Sequence, residues 1–146
     1  YWTFRICRIG KNNQMKYLII FYDGPCVLCN YWIQKLCQWD KENRFKFTSL
    51  ESKFAIDFFN KNPSPILKKD AIISWDFEKG YHAEAEAVFR ILTSLKGFFN
   101  FFLIFNLLPK SLTNSIYRYI AKNRYRWFGK HEKCPLPNKK FTHKFL

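Results

Sequence analysis

Residues 16–30, KYLIIFYDGPCVLCN, join an apolar run to a pair of cysteines. The run Lys16–Tyr22 is rich in apolar and β-favouring residues and is followed by Asp-Gly-Pro, so it predicts a buried strand that ends in a turn. A helix is expected from about Pro25 to Asp40, because proline suits the first turn of a helix, where its missing N–H has no partner to lose. This stretch therefore predicts a strand–turn–helix junction with both cysteines at the start of the helix.

The same patterns predict the elements that follow. They are a strand at Asn43–Phe47, a helix at Glu51–Asn60, a loop through residues 62–65, strands at Ala71–Trp75 and Tyr81–His82, and a helix at Glu84–Leu95. A nearly all-apolar helix is expected over Phe98–Leu108, ended by Pro109, and an amphipathic helix over Leu112–Asn123. This order favours an α/β layer fold, a sheet flanked by helices with a C-terminal helical extension.

With 146 residues, the chain has the size of one domain. Apolar residues make up 48% and aromatic residues 21% of it, which excludes a wholly disordered chain. We expect residues 1–15 to be a disordered or non-native extension, 16–137 to form a single domain whose helical part begins near 97, and 138–146 to be a basic tail. Residues 110–146 hold ten basic residues and one acidic residue, a net of +9 out of +14 for the chain.

The cysteines, at positions 7, 26, 29, 37 and 134, are odd in number, and three fall within 12 residues. This differs from the even set of a disulfide-stapled secreted domain. The run 17–22 is too short for a signal peptide, and the apolar stretch 98–108 is shorter than the ~20 residues that span a bilayer. The sequence therefore predicts a cytoplasmic protein in a reducing compartment, with Cys7 outside the chemistry.

Cys26 and Cys29 have the spacing and position of a redox pair. At i and i+3 their sulfurs lie on one helix face, close enough to form a disulfide. The helix N-terminus stabilises an anion, and such a position can lower a thiol pKa from about 8.5 into the ~3.5–7.5 range. We expect Cys26 to be the exposed attacking thiol and Cys29 the more buried resolving thiol.

Other interpretations of these residues remain open. A Cys-x-x-Cys pair is also half of a zinc site, which Cys134 and His131 could complete, or the pair could be inert core cysteines. Asp23 could be the N-cap of the helix or the proton acceptor for a thiol. Cys37 is expected to be a small core residue. The redox interpretation is preferred, and it requires neither a metal nor a cofactor.

The motif Asp23-x-x-Cys26-x-x-Cys29, in the context Tyr-Asp-Gly-x-Cys-x-x-Cys-Asn, resembles the DCC family of thiol–disulfide oxidoreductases. The segments EAVFRIL at 86–92 and NRYRWFGK at 123–130, with CPLP at 134–137, are similar to further blocks of that family. The resemblance implies a thioredoxin-like fold and an enzyme of the protein-disulfide reductase type with redox-active cysteines at 26 and 29. Asp23 matches the aspartate of the motif. The substrate would be a disulfide-containing protein or a small thiol compound, and the reductant is not identified.

One feature departs from thioredoxins, which carry a cis-proline before the strand that faces the cysteine pair. Here residues 68–70 are Lys-Lys-Asp, and the nearest prolines, Pro63 and Pro65, come several residues too early. This departure argues against a general protein-disulfide reductase and leaves a narrower substrate open.

The C-terminal part offers an alternative function, a non-catalytic module that binds a polyanion or a membrane surface. Its basic and aromatic residues are Arg118, Lys122, Arg124, Tyr125, Arg126, Trp127 and Lys130. Arginines interleaved with aromatic rings can grip phosphates and stack on bases. The preferred interpretation is that Tyr125, Trp127 and Phe128 pack the last helix onto the sheet. Phe98–Leu108 could likewise attach to a membrane, but a buried helix that closes one face of the sheet is preferred.

Overall fold

The computed structural model describes residues 17–67, 71–95 and 97–146. The predictions for residues 1–15, for Cys7 and for residues 68–70 lie outside the described residues. The elements are β1 (Leu18–Tyr22), α1 (Val27–Trp39), β2 (Phe45–Ser49), α2 (Lys53–Lys61), β3 (Ile73–Asp76), β4 (Gly80–Ala83), α3 (Glu84–Ser94), a 3₁₀ helix (Gly97–Leu107), α4 (Lys110–Phe128) and a short 3₁₀ helix (Lys139–Lys144). The predicted strands and the helices α1 to α4 are all present, with shifts at their ends.

The four strands form one mixed sheet in the order β2-β1-β3-β4. β1 and β2 are parallel and are joined through α1, whereas β3 runs antiparallel to both β1 and β4. The sheet carries helices on both sides, and α4 follows as the C-terminal extension. This is the expected α/β architecture, a thioredoxin-like fold.

The central strand β1 is buried on both faces, which explains its continuous apolar sequence. Leu18, Ile20 and Tyr22 point into a core shared with α1 and α3. Ile19 and Phe21 point into a second core, which α2 covers. Because successive side chains of a strand alternate between its faces, one five-residue strand holds both layers together and fixes where α1 begins.

The last residues pack on the edge of the sheet. Lys144 is 3% exposed, and its ammonium donates to the Asp40 carboxylate at 2.7 Å. The same carboxylate accepts the backbone N–H of Arg44 at 2.9 Å. The N–H of Leu146 donates to the carbonyl of Phe47 at 2.9 Å, on the outer strand β2. The segment that we set apart as a basic tail therefore covers a sheet edge that would otherwise present unpaired backbone groups.

The segment predicted as a buried apolar helix at Phe98–Leu108 is a 3₁₀ helix that packs against α3. Ile104 and Leu107 are 54% and 84% exposed, so the prediction that this segment closes one face of the sheet is wrong. The physical reason is that α1 and α3 already cover one face and α2 the other, so no face is left. Within the described ranges, no helix is long and apolar enough to cross a membrane.

Two boundaries differ from the predictions for identifiable reasons. Asn43, predicted to open β2, has a φ of 53° and belongs to the turn, so the strand runs from Phe45 into the polar Ser49. α4 continues past Asn123 to Phe128 and ends at Gly129, whose φ of 88° suits a residue without a side chain. The apolar periodicity is lost before the helix ends, because the buried position in its last turns is an arginine.

Candidate active site

Cys26 is the N-cap of α1. Its backbone N–H donates to the Asp23 carbonyl at 3.3 Å and closes the turn after β1. Its sulfur accepts the N–H of Cys29 at 3.2 Å, one of the donors that a helix N-terminus leaves without an intrahelical partner. Although α1 begins at Val27 rather than at Pro25, the Cys26 sulfur lies where the helix stabilises a negative charge, as predicted.

The two thiols shift each other's pKa in opposite directions. Hydrogen bonding to the Cys29 side chain, helped by the Cys29 N–H and by the charge of Arg124, lowers the pKa of Cys26 to about 7 against the opposing effect of burial. The same bond, together with burial, raises the pKa of Cys29 well above its ordinary value. The pair is therefore polarised, because Cys26 ionises near neutral pH while Cys29 keeps its proton.

The accessibility of the pair is the reverse of the prediction. Cys26 is 0% exposed, whereas Cys29 is partly exposed. The expectation that Cys26 is the more exposed thiol is therefore wrong. Local sequence could not indicate this, because the burial comes from a segment about 100 residues further along the chain.

That segment is the C-terminal strap, residues 129–134, which follows α4 and lies across the turn at residues 23–26, the candidate active-site turn. Lys130 pairs with Cys26 as an antiparallel bridge, and the N–H of His131 donates to the Pro25 carbonyl at 2.7 Å. A side chain at Gly24 would place its Cβ 2.7 Å from the sulfur of Cys134. The glycine of the motif therefore allows the strap to lie this close.

Asp23 is not the N-cap of α1, since the sulfur of Cys26 takes that place. Its carboxylate instead accepts the guanidinium of Arg124 at 2.8 Å and the hydroxyl of Tyr125. The side chains of Asp23 and Arg124 are only 10% and 5% exposed. The capping interpretation is therefore wrong, and Asp23 belongs to a buried ion pair that joins the active-site turn to α4.

Arg124 joins this ion pair to the dithiol. Its second terminal nitrogen lies 3.7 Å from the sulfur of Cys29, while its Nε is buried without a hydrogen-bond partner in the described structure. Burial alone would lower the pKa of Arg124, but the neighbouring thiols and Asp23 raise it, so the guanidinium stays charged. A fixed positive charge beside two sulfurs favours the thiolate form of either one.

The sequence patterns place Arg124 on a surface that binds anions and indicate no role for Asn30. Arg124 lies seven residues after Tyr117, on the side of α4 that faces the domain, and the Tyr117 hydroxyl accepts the N–H of Ile72 at 2.8 Å. The seven-residue spacing of Tyr117 and Arg124 is the sequence feature that could have indicated that both lie on this side of α4. Asn30 donates from its side chain to the Cys26 carbonyl at 2.9 Å and to the Gly24 carbonyl, which holds the active-site turn against α1.

The other cysteines lie outside the pair. Cys37 is 2% exposed in the core, as expected, and burial raises its pKa to about 11. Cys134 is an exposed residue, but partial desolvation of its thiol raises its pKa. No three His, Cys, Asp or Glu side chains of the described residues cluster as a metal set.

The basic aromatic segment divides into two parts. Arg118 and Arg124 form ion pairs with Glu84 and Asp23, but only Arg124 is buried, since the Arg118 side chain is 61% exposed. Trp127 and Phe128 are 48% and 51% exposed, so the expectation that they pack the last helix onto the sheet is wrong. Only part of this segment is therefore available to a partner.

Comparison with known proteins finds a matching family and two similar proteins for this chain. Residues 20–130 match the family described as DCC1-like thiol-disulfide oxidoreductase. The uncharacterized protein YuxK of Bacillus subtilis is 30% identical over 135 residues, which cover 92% of this chain and 98% of that protein. A chloroplastic DCC family protein of Arabidopsis thaliana is 26% identical over 121 residues, or 81% of this chain and 69% of that protein. No solved structure matches.

Proposed function

Because this chain belongs to the DCC1-like thiol-disulfide oxidoreductase family, we propose that it exchanges the Cys26–Cys29 dithiol for the disulfide of a substrate. The observation that carries the proposal is the position of Cys26 at the start of α1, where its sulfur accepts the N–H of Cys29 and its pKa is lowered. Disulfide exchange requires a thiolate as the nucleophile and a second thiol that resolves the mixed disulfide. The substrate class is a protein or small molecule with an accessible disulfide.

In the first step, the Cys26 thiolate attacks one sulfur of the substrate disulfide. The substrate S–S bond breaks, its electron pair leaves with the second substrate sulfur, and that thiolate takes a proton from solvent. In the second step Cys29 loses its proton and attacks Cys26, which releases the remaining substrate thiol. The protein ends with a Cys26–Cys29 disulfide, the substrate gains two electrons and two protons, and a dithiol donor restores the protein.

Asp23 and Arg124 support this sequence from the buried ion pair. The charge of Asp23 raises the pKa of both thiols, and that of Arg124 lowers it. We assign Asp23 the role of acceptor for the proton that Cys29 loses, while Arg124 holds that carboxylate in place and stabilises the thiolates. Tyr125 also donates its hydroxyl to the Asp23 carboxylate and helps to hold it in place.

The strap must move before a substrate can reach Cys26. Its contacts with the active-site turn are the Lys130–Cys26 bridge, which includes the bond from the His131 N–H to the Pro25 carbonyl, and the close approach of the Cys134 side chain to Gly24. These interactions are local, and opening of a segment of this kind requires little free energy compared with global unfolding. We assign the strap the role of a cover that shields the thiolate between turnovers.

A reductase assay tests the function. With dithiothreitol as electron donor, the protein is expected to reduce hydroxyethyl disulfide at a rate that rises with pH through a midpoint near the Cys26 pKa of about 7. The rise follows because the reactive thiolate forms as pH passes that pKa. Cys37→Ala serves as the control and should keep the same midpoint, since Cys37 lies in the core. A rate no higher than that of dithiothreitol alone would contradict the proposal.

The same assay tests the cover. His131→Pro removes the N–H that bonds Pro25 and should raise the rate severalfold, because Cys26 becomes accessible more often. Glu132→Pro is the matched control, since it places a proline in the strap without removing that bond. Equal rates for the two variants would show that this bond does not limit access to Cys26.

A further inference from the structure

The outer side of α4 carries an apolar stripe. Its members are Leu112, Ile116, Tyr119, Ile120 and Trp127, which are between 41% and 63% exposed. Their spacing places all of them within about 100° of the helix circumference. The side of α4 that faces the domain is a different one, defined by Tyr117 and Arg124. The stripe is therefore directed away from the protein's own core.

Exposed apolar residues also stand directly before α4 in the sequence. Ile104, Leu107 and Leu108 are 54%, 84% and 38% exposed, and only Pro109 separates them from the first residue of α4. We call these three residues and the stripe the outer apolar surface. Contiguous exposed apolar patches beyond a few hundred Å² are unusual on a soluble monomer and mark sites of interaction.

The charge around the stripe is of one sign. The sequence of α4, KSLTNSIYRYIAKNRYRWF, contains five basic residues and no acidic residue. Arg118 and Arg124 are engaged with Glu84 and Asp23. Lys110, Lys122 and Arg126 lie exposed. Lys122 and Arg126 flank the stripe on one side, because they precede its centre by about 110° and about 70° around the helix.

We propose that the outer apolar surface docks onto the surface of an anionic lipid membrane. A helix with an exposed apolar face and a basic flank can lie in the membrane plane, with its apolar residues in the headgroup boundary and its cations at lipid phosphates. A second copy of this chain is a poorer occupant, because two basic helices would be brought together. Nucleic acid would pair with the cations but would leave the leucines and isoleucines in water.

This docking places the dithiol near the lipid surface, since α4 also carries Arg124 and Tyr125 of the active site. This membrane proposal is independent of the redox proposal, because within the described part of the chain no residue of the outer apolar surface is bonded to Cys26 or Cys29. Failure of one proposal therefore leaves the other standing.

Co-sedimentation of the full chain with lipid vesicles tests the proposal. We expect binding to phosphatidylcholine vesicles that contain phosphatidylglycerol, weaker binding as salt increases, and little binding to phosphatidylcholine alone. Ile116→Asp should weaken binding roughly tenfold or more, because an apolar group that was buried in lipid is replaced by a charge. Leu136→Asp is the matched control, since Leu136 is 92% exposed outside the surface and should bind as the unsubstituted chain does.

A charge pair of variants completes the test. Lys122→Glu should weaken binding to the anionic vesicles, whereas Lys53→Glu, at an exposed lysine of α2, should weaken it less. If Ile116→Asp and Leu136→Asp weaken binding to the anionic vesicles equally, the proposal is overturned. A dimer in solution that Ile116→Asp dissociates would assign the surface to a second copy instead. Tight binding of a DNA oligonucleotide that Ile116→Asp leaves unchanged, without vesicle binding, would assign it to nucleic acid.

Discussion

The Cys29→Ser protein is expected to accumulate a mixed disulfide through Cys26, and the Cys26→Ser protein is expected to form none at this pair. The serine at 29 keeps the backbone N–H and a hydroxyl that can donate to the Cys26 sulfur, so the nucleophile survives while the resolving thiol is lost. Cys26→Ser removes the thiolate at the helix N-terminus. Turnover should fall by ~10³-fold or more, the scale on which loss of a covalent nucleophile acts in enzymes.

Incubation with glutathione disulfide, followed by mass spectrometry of the digested protein, measures this trapping. Peptide mapping is needed because Cys134 is exposed and can react on its own. Cys134→Ser in both backgrounds is the control and should leave the difference unchanged. Since Cys29 is the more exposed thiol of the pair, trapping through Cys29 in the Cys26→Ser protein would reverse the assignment of the two roles.

Arg124→Met is expected to destabilise the protein by about 3–5 kcal/mol, the loss typical when one partner of a buried ion pair is removed. The Asp23 carboxylate would then remain buried with Tyr125 as its partner. The pKa of Cys26 should also rise, because the charge of Arg124 contributes to lowering it. Denaturant unfolding measures the first effect, and the thiolate absorbance as a function of pH measures the second.

Arg126→Met is the matched control, an exposed arginine two residues further along α4, and should change stability by no more than about 0.5 kcal/mol. Adding Asp23→Asn to Arg124→Met should recover part of the lost stability, because it removes the uncompensated charge. If Arg124→Met and Arg126→Met are equally stable, the Asp23–Arg124 ion pair does not hold α4 against the active-site turn.

The elements that define the sheet could be predicted from local sequence. The apolar run at Leu18–Tyr22 indicates β1, because a strand buried on both faces has a continuous apolar sequence. The proline after it indicates the start of α1, because the first turn of a helix tolerates a residue without an N–H. The dithiol could be predicted for the same reason, since its spacing and its place at a helix N-terminus are fixed within four residues. These predictions required no knowledge of the rest of the chain.

The parts that could not be predicted depend on distant contacts. Asp23 and Arg124 are 101 residues apart in sequence, and the strap that buries Cys26 begins at Gly129. Asp23 has the sequence features of a helix cap, but the sulfur of Cys26 fills that position. Leu107 is apolar yet 84% exposed, because the faces of the sheet are already covered. Local composition indicates neither which distant residues pair nor which faces of the sheet other helices already cover.

The central claim is that Cys26 and Cys29 form a redox pair, and disulfide mapping at controlled redox potential tests it most directly. The protein would be equilibrated in glutathione buffers of graded potential, the free thiols alkylated, and the digested peptides analysed by mass spectrometry. We expect Cys26 and Cys29 to be joined in one intramolecular disulfide that forms and disappears in a single two-electron transition, while Cys37 stays a thiol. Cys26 and Cys29 that remain thiols at every potential, or that pair with Cys134 instead, would contradict the central claim.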